Sequence, residues 1–199
     1  MTADLAPLGD TCRLLGRLLL EGASTSLLDE IRQQELFRSL GERCDGKLGE
    51  TLKDVNESLQ RQDTLALSRE YTRLFVANAV EGKRQPILVP PWEDCHLGSS
   101  HQVMGERSRA VFQAYVAAEL GFDDMLGKPA DHIGLELLFV AALIHEELGG
   151  ERDTKARESF CSEHLEEFAK TIGERVAGAT HERFWRGIGD AVATLPAYL

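Results

Sequence analysis

At 199 residues, 43% hydrophobic and 28% charged, the chain is long enough for one sizeable core and short for two, so one domain spanning residues 1–199 is expected. Its 33 acidic against 22 basic residues leave a net charge of −11, which disfavours a nucleic-acid partner and suits either high solubility or a cationic partner. Arg13 and Arg17 interrupt the N-terminal apolar stretch, which is no secretion signal, and four scattered cysteines without a CxxC pair read as reduced thiols of a cytoplasmic protein.

Leu14, Leu15, Leu18 and Leu19 form a one-sided stripe that predicts an amphipathic helix over about 10–22, ended by Gly22. Ser26 with Asp29 opens a second helix, with Leu27, Leu28, Ile31 and Leu36 or Phe37 inward, which stops before Gly41. A more polar helix follows over 49–59. Asp63 then caps a stronger one, TLALSREYTRLFVANAV, in which Tyr71, Leu74 and Phe75 fall at i, i+3 and i+4. Residues 81–100 break the helical pattern with Pro86, Pro90 and Pro91. Loops of this length are uncommon in compact domains, and the apolar Ile87, Leu88, Val89 and Trp92 predict that this one packs across the helices. Residues 87–89 are the one candidate for a short strand. Ser99 with Gln102 has the spacing of a capping box for the next helix, with Val103, Ala110, Val111, Ala114, Tyr115 and Ala118 on one face and Gly121 at its end.

Residues 131–148, DHIGLELLFVAALIHEEL, are apolar almost all the way round and predict a central helix, with Asp131 as its N-cap after Pro129 and Gly149-Gly150 as its stop. Burying Leu135, Leu137, Leu138, Phe139, Val140, Leu143 and Ile144 would contribute roughly 10–20 kcal/mol before the entropy of ordering them is subtracted. The run is too short to span a bilayer, so no stable membrane insertion is expected. Helices over about 154–176, with Phe160, Leu165, Phe168 and Ile172 inside, and about 180–195, with Phe184, Trp185, Ile188, Val192 and Leu195 inside, complete the pattern. The expected class is all-α, a single-domain helical bundle around the buried helix 131–148, with a long Pro-rich loop at 81–100.

The common catalytic and cofactor motifs are absent: no GxxxxGK[ST], no GxGxxG after a strand, no GxSxG, and no Glu-x-x-His for a di-metal bundle site. Cys161 and His164 share a helical face, and Cys95, His96 and His101 could add ligands, but no second half completes a zinc set, and no metal is expected. Cys161 reads as a small core residue and His164 as a surface or groove residue. His132 and Glu136, at i and i+4 beside Asp131, leave open a helical enzyme or metal-dependent protein, and exposed helices leave open a structural adaptor.

Three short motifs stand in order: Tyr71-Thr72-Arg73-Leu74-Phe75, Pro90-Pro91-Trp92-Glu93 and Lys128-Pro129-Ala130-Asp131-His132, followed by GLELLFVAAL and, near the end, EHLEEF and FWRGIGDAVATL. Singly they read as a core stripe, a loop anchor and a helix start. Together they resemble the TorD/DmsD family of redox-enzyme maturation chaperones, related to NarJ, over roughly residues 65–199. Lys128 stands where that family has glutamate, and His96 where an aromatic often follows the Pro-Pro loop.

The resemblance implies an all-helical cytoplasmic chaperone, without enzymatic activity or cofactor. Its partner would be the twin-arginine signal peptide, or the N-terminus, of the apo catalytic subunit of a molybdopterin-containing oxidoreductase, held until cofactor insertion is complete. Some members serve a nitrate reductase by binding its mature N-terminus, and guanine nucleotide binding has been proposed for others; no nucleotide motif is present here. A receptor for an Arg-Arg pair joined to an apolar segment needs an apolar groove with carboxylates at one end. Tyr71, Leu74, Phe75, Pro91 and Trp92 are expected to supply the groove and Glu93, Asp94 and Asp131 the acidic end. Pro90, Pro129 and a neutral His132, at the positive end of the helix dipole, complete the expected binding set.

Overall fold

The computed structural model describes residues 4–76, 79–80, 83–84, 86–99, 101–120 and 128–199. Helix α1 (Leu5–Glu21) begins ahead of the leucine stripe because Asp4 accepts the Ala6 amide at 3.1 Å and caps it there. The second expected helix is two. Ser24, not Ser26, caps α2 (Thr25–Gln33) by accepting the Leu27 amide, and Glu35, left-handed at φ 48°, breaks the chain before α3 (Leu36–Arg43). Gly41 lies inside α3 instead of ending it. The lack of a side chain there lets α4 (Gly46–Arg61) come close, since an added Cβ would sit 2.8 Å from the Gly49 carbonyl oxygen. Asp63 caps α5 (Thr64–Phe75) as expected, accepting the Ala66 amide at 3.1 Å.

The segment expected as one long loop has structure of its own. Ala79–Val80 (β1) pairs antiparallel with Lys83–Arg84 (β2), and Asp94–Leu97 forms a short helix, α6. Residues 87–89 are not a strand. Val89 is buried and donates its amide to the Leu74 carbonyl at 2.8 Å, pinning the loop to the end of α5. Helix α7 (Glu106–Ala117) starts after Gly105, so Ser99 and Gln102 cap nothing and Val103 is exposed in a turn before it. Gly121, the expected stop, lies outside the described residues.

The central helix is α8 (Ile133–Gly149), ended by Gly150 at φ 75°. Leu135, Leu137, Phe139, Val140, Leu143 and Ile144 are each at most 1% exposed, so neighbours do cover most of its sides, and Leu138 is half-buried. The next expected helix is α9 (Lys155–Phe160), a turn of π-helix (Cys161–Leu165) and α10 (Glu166–Ala179) in unbroken succession. The chain closes with α11 (Arg183–Thr194) and a 3₁₀ turn (Leu195–Tyr198). The chain is all-helical, as expected, apart from the short ribbon. Among the described residues no helix is long and apolar enough to cross a membrane.

Two glycine crossings set the packing. Helix α1 runs along α8, and α10 along α11. At the first crossing a Cβ added to Gly16 would lie 2.9 Å from the Gly134 carbonyl oxygen, and one added to Gly134 2.8 Å from that of Gly16. Gly173 and Gly189 face each other in the same way at the second. By contrast Gly178, exposed near the end of α10, has nothing within 4 Å of an added Cβ. Gly134→Ala should therefore lower stability by about 1–3 kcal/mol through overpacking. Gly178→Ala should raise it by roughly 0.5–1 kcal/mol through helix propensity. Thermal melts of the two variants check this, and equal effects would show that the crossing tolerates a methyl group.

Candidate functional site

The second and third motifs meet at a backbone bridge. Glu93 donates its amide to the Asp131 carbonyl at 2.9 Å and Ile133 donates to the Pro91 carbonyl at 2.9 Å, pairing Trp92 with His132 antiparallel. Pro90 and Pro91 hold the first strand of this bridge extended, and Pro129 stiffens the approach to the second. The Trp92 and His132 rings stand edge to face, centroids 6.2 Å apart at 83°.

His132, not Asp131, caps α8: its Nδ1 accepts the Gly134 amide at 3.0 Å. The ring proton is therefore on Nε2. Burial, with a smaller push from the Lys128 ammonium, holds the His132 pKa down to about 3, so the imidazole is neutral. The Asp131 carboxylate turns elsewhere and accepts the Asp94 amide at 2.9 Å. Burial raises its pKa, while that hydrogen bond pulls the other way. Asp94 in turn accepts the amides of Arg107 at 3.1 Å and Ser108 at 2.9 Å, and so caps α7 from a distant part of the chain. Gly98 and Gly105 leave room for it, since a Cβ on either would lie 2.6 Å from Asp94 Oδ1.

Behind the bridge Glu93 is fully buried, with Oε1 3.0 Å from Arg107 Nη1 and Oε2 3.2 Å from His164 Nδ1. Glu136, in the first turn of α8, is fully buried too, and among the described residues neither carboxyl oxygen has a hydrogen-bond partner. Burial first, then the negative charges of Glu93 and Asp131, drive its pKa well above the ordinary 4.5, with Arg107 opposing. Burial therefore favours the neutral acid over the carboxylate.

Several expected site residues lie elsewhere than the groove predicted for them. Glu93, Asp94 and Asp131 are each at most 1% exposed, so they form a buried polar centre and not an open acidic end. Tyr71 and Phe75 pack against Trp185 of α11 at 5.7 and 5.9 Å between ring centroids, and the Tyr71 hydroxyl donates to the Leu19 carbonyl at 2.9 Å. Leu74 and Phe75 are buried in that aromatic core. The Leu74 carbonyl, which receives the Val89 amide, links the first motif to the loop that carries the second. Of the bridge itself Pro90, Trp92 and Pro129 remain half-buried, while Pro91 and His132 are buried.

Both departures from the resembled motifs are bonded to backbone carbonyls. Lys128 donates to the Leu20 carbonyl at 3.1 Å, and His96 Nε2 donates to the Pro90 carbonyl at 2.6 Å with its ring 5.6 Å from that of Phe168. No motif marked Arg107. His164, expected at the surface or in a groove, is buried against Glu93, because it stands four residues from both Phe160 and Phe168 on the inward face of the helix. Cys161 is buried as expected. Among the described residues no three or more His, Cys, Asp or Glu side chains are grouped to hold a metal ion, Asp131, His132 and Glu136 included.

His132 and Glu136 give stability opposite pH dependences. His132 in the unfolded chain takes up a proton below its ordinary 6.5, which the folded chain refuses down to about 3, so its contribution is lost as pH falls through that window. Glu136 ionises above 4.5 when unfolded but stays protonated when folded, so its contribution falls as pH rises above 4.5. Glu136→Gln removes the second dependence. The difference in unfolding free energy should shift in favour of the variant as pH rises from about 5 to 8, read by denaturant titration. A difference independent of pH would contradict the buried neutral acid.

The family model of the nitrate reductase delta subunit matches residues 42–172 of the chain, a span that contains the bridge, Arg107, Glu136 and His164. The fold is similar to that of a solved structure described as a redox enzyme maturation protein from Archaeoglobus fulgidus, with a TM-score of 0.61 and 19% identity over 94% of this chain and 91% of that one. A search of curated protein sequences finds no match. The family match covers well over half of the sequence and agrees with the redox-enzyme maturation character of the motifs: the chain belongs to the nitrate reductase delta subunit family.

Proposed function

We propose that the protein is a cytoplasmic chaperone for the maturation of a molybdenum-cofactor oxidoreductase, and that it holds the N-terminal leader of the catalytic subunit, a twin-arginine signal peptide or its mature counterpart, until the cofactor is in place. Family membership supports the maturation role. The observation that carries the binding role is the bridge between Pro90-Pro91-Trp92-Glu93 and Pro129-Ala130-Asp131-His132, because it turns two separate motifs into one rigid feature. Trp92, Pro90 and Pro129 give that feature an apolar outer face. Glu93, Asp131 and His132 hold it in shape from beneath. The net charge of −11 attracts a leader that carries paired arginines. In this reading Tyr71, Leu74 and Phe75 support the site through Val89. No catalytic step and no cofactor are needed.

Calorimetric titration tests the reading with a synthetic peptide carrying an Arg-Arg pair followed by a leucine-rich segment. Binding should weaken only in part as salt is raised, because screening removes the exposed charge contribution and leaves apolar burial. Trp92→Ala should reduce affinity by about tenfold or more while the fold survives, since the residue is half-buried. Absence of binding, or binding that is unchanged when both peptide arginines become glutamine, would reject the role.

A further inference from the structure

We propose that the cleft between α7 and α9 receives apolar side chains of the same leader, extending the binding site away from the bridge; this rests on the function proposed above. The cleft has a volume of about 190 Å³ and is lined by Ala114, Ala117, Ala118, Phe139, Ala156 and Phe160, with His164 also in its wall. That is below the ~300 Å³ at which pockets for whole small molecules begin, and suits one or two leucine-sized side chains. Alanine on both sides lets a peptide backbone approach closely, while the two phenylalanines offer an apolar floor.

Three features point to a basic, apolar segment as the occupant. The first is charge. Glu163 lines the cleft, and Glu158 and Glu119 are exposed beside lining residues. The cations nearby are committed: Arg152 to Glu146 at 2.5 Å and to the Ala118 carbonyl at 2.6 Å, and Lys155 to Asp153 at 3.0 Å. The second is continuity. His164, its ring 5.2 Å from that of Phe160, is hydrogen-bonded to Glu93 of the Trp92 loop, so the cleft wall and the bridge belong to one packed unit. The third is the backbone. The wall that carries His164 is the π turn, closed by the Glu166 amide on the Cys161 carbonyl, and such turns within helices concentrate at functional sites.

The test fills the cleft from either side. Ala117→Leu and Ser159→Leu change exposed lining residues on α7 and α9 and should leave the thermal midpoint unchanged. Each should weaken binding of the synthetic Arg-Arg, leucine-rich peptide about tenfold or more, the equivalent of excluding one buried leucine. A photo-crosslinking residue in place of a peptide leucine should label 114–118 or 156–164. If wild type binds the peptide and both filled variants bind it equally well, the cleft assignment is overturned and the proposed function stands. If wild type does not bind it, the proposed function falls and this inference with it. A filled variant that dissociates a homodimer but keeps peptide affinity would assign the cleft to a second copy of the chain and overturn the inference.

Discussion

A carboxylate removed from water must find N–H donors or give up its charge, and that demand organises the centre of this fold. Asp131 takes the amide of Asp94, Asp94 takes the first amides of α7, and Glu93 takes Arg107 and His164. Glu136, with no donor among the described residues, is pushed toward its neutral form. The successive links tie the Trp92 loop, α7, the head of α8 and the π turn into one unit. Charge-assisted hydrogen bonds are roughly twice as strong as neutral ones, and removing one member leaves the next acid buried without a partner.

That relay also explains which parts of the structure were legible in the sequence. Helices follow the sequence pattern where periodicity is strong, as in α8 and α11, because burial dictates residue type at every turn. Caps depart from the local pattern where a distant group competes for the side chain. Asp131 has the better capping side chain, but the Asp94 amide claims it, and His132 takes the helix end instead. Ser99 lost its expected role to Asp94, a partner that a local pattern cannot display. Gly41 reads as a stop from sequence and is in fact a place where two helices touch.

The candidate site was legible in its motifs and not in its surfaces. The family resemblance marked the Trp92 and His132 segments, and the structure joins them. Spacing also marked Tyr71, Leu74 and Phe75 as one apolar face, but a face covered by its own chain and one left for a partner have the same period. Trp185 of α11 covers this one. The acidic residues expected to meet a peptide are buried inside the protein, which leaves exposed carboxylates to set the field outside it. In the proposed reading buried acids keep the receptor rigid and surface acids draw the ligand, and the two groups respond differently to salt because only the second is screened.

Hydrogen exchange with and without saturating leader peptide follows the bridge and its surroundings directly. Slower exchange is expected in 86–99 and 128–135, with the facing walls of α7 and α9, and no change in α3 and α4 on the opposite pairing. Protection confined to α3 and α4, or none at saturation, would contradict a leader site built on the Trp92–His132 bridge.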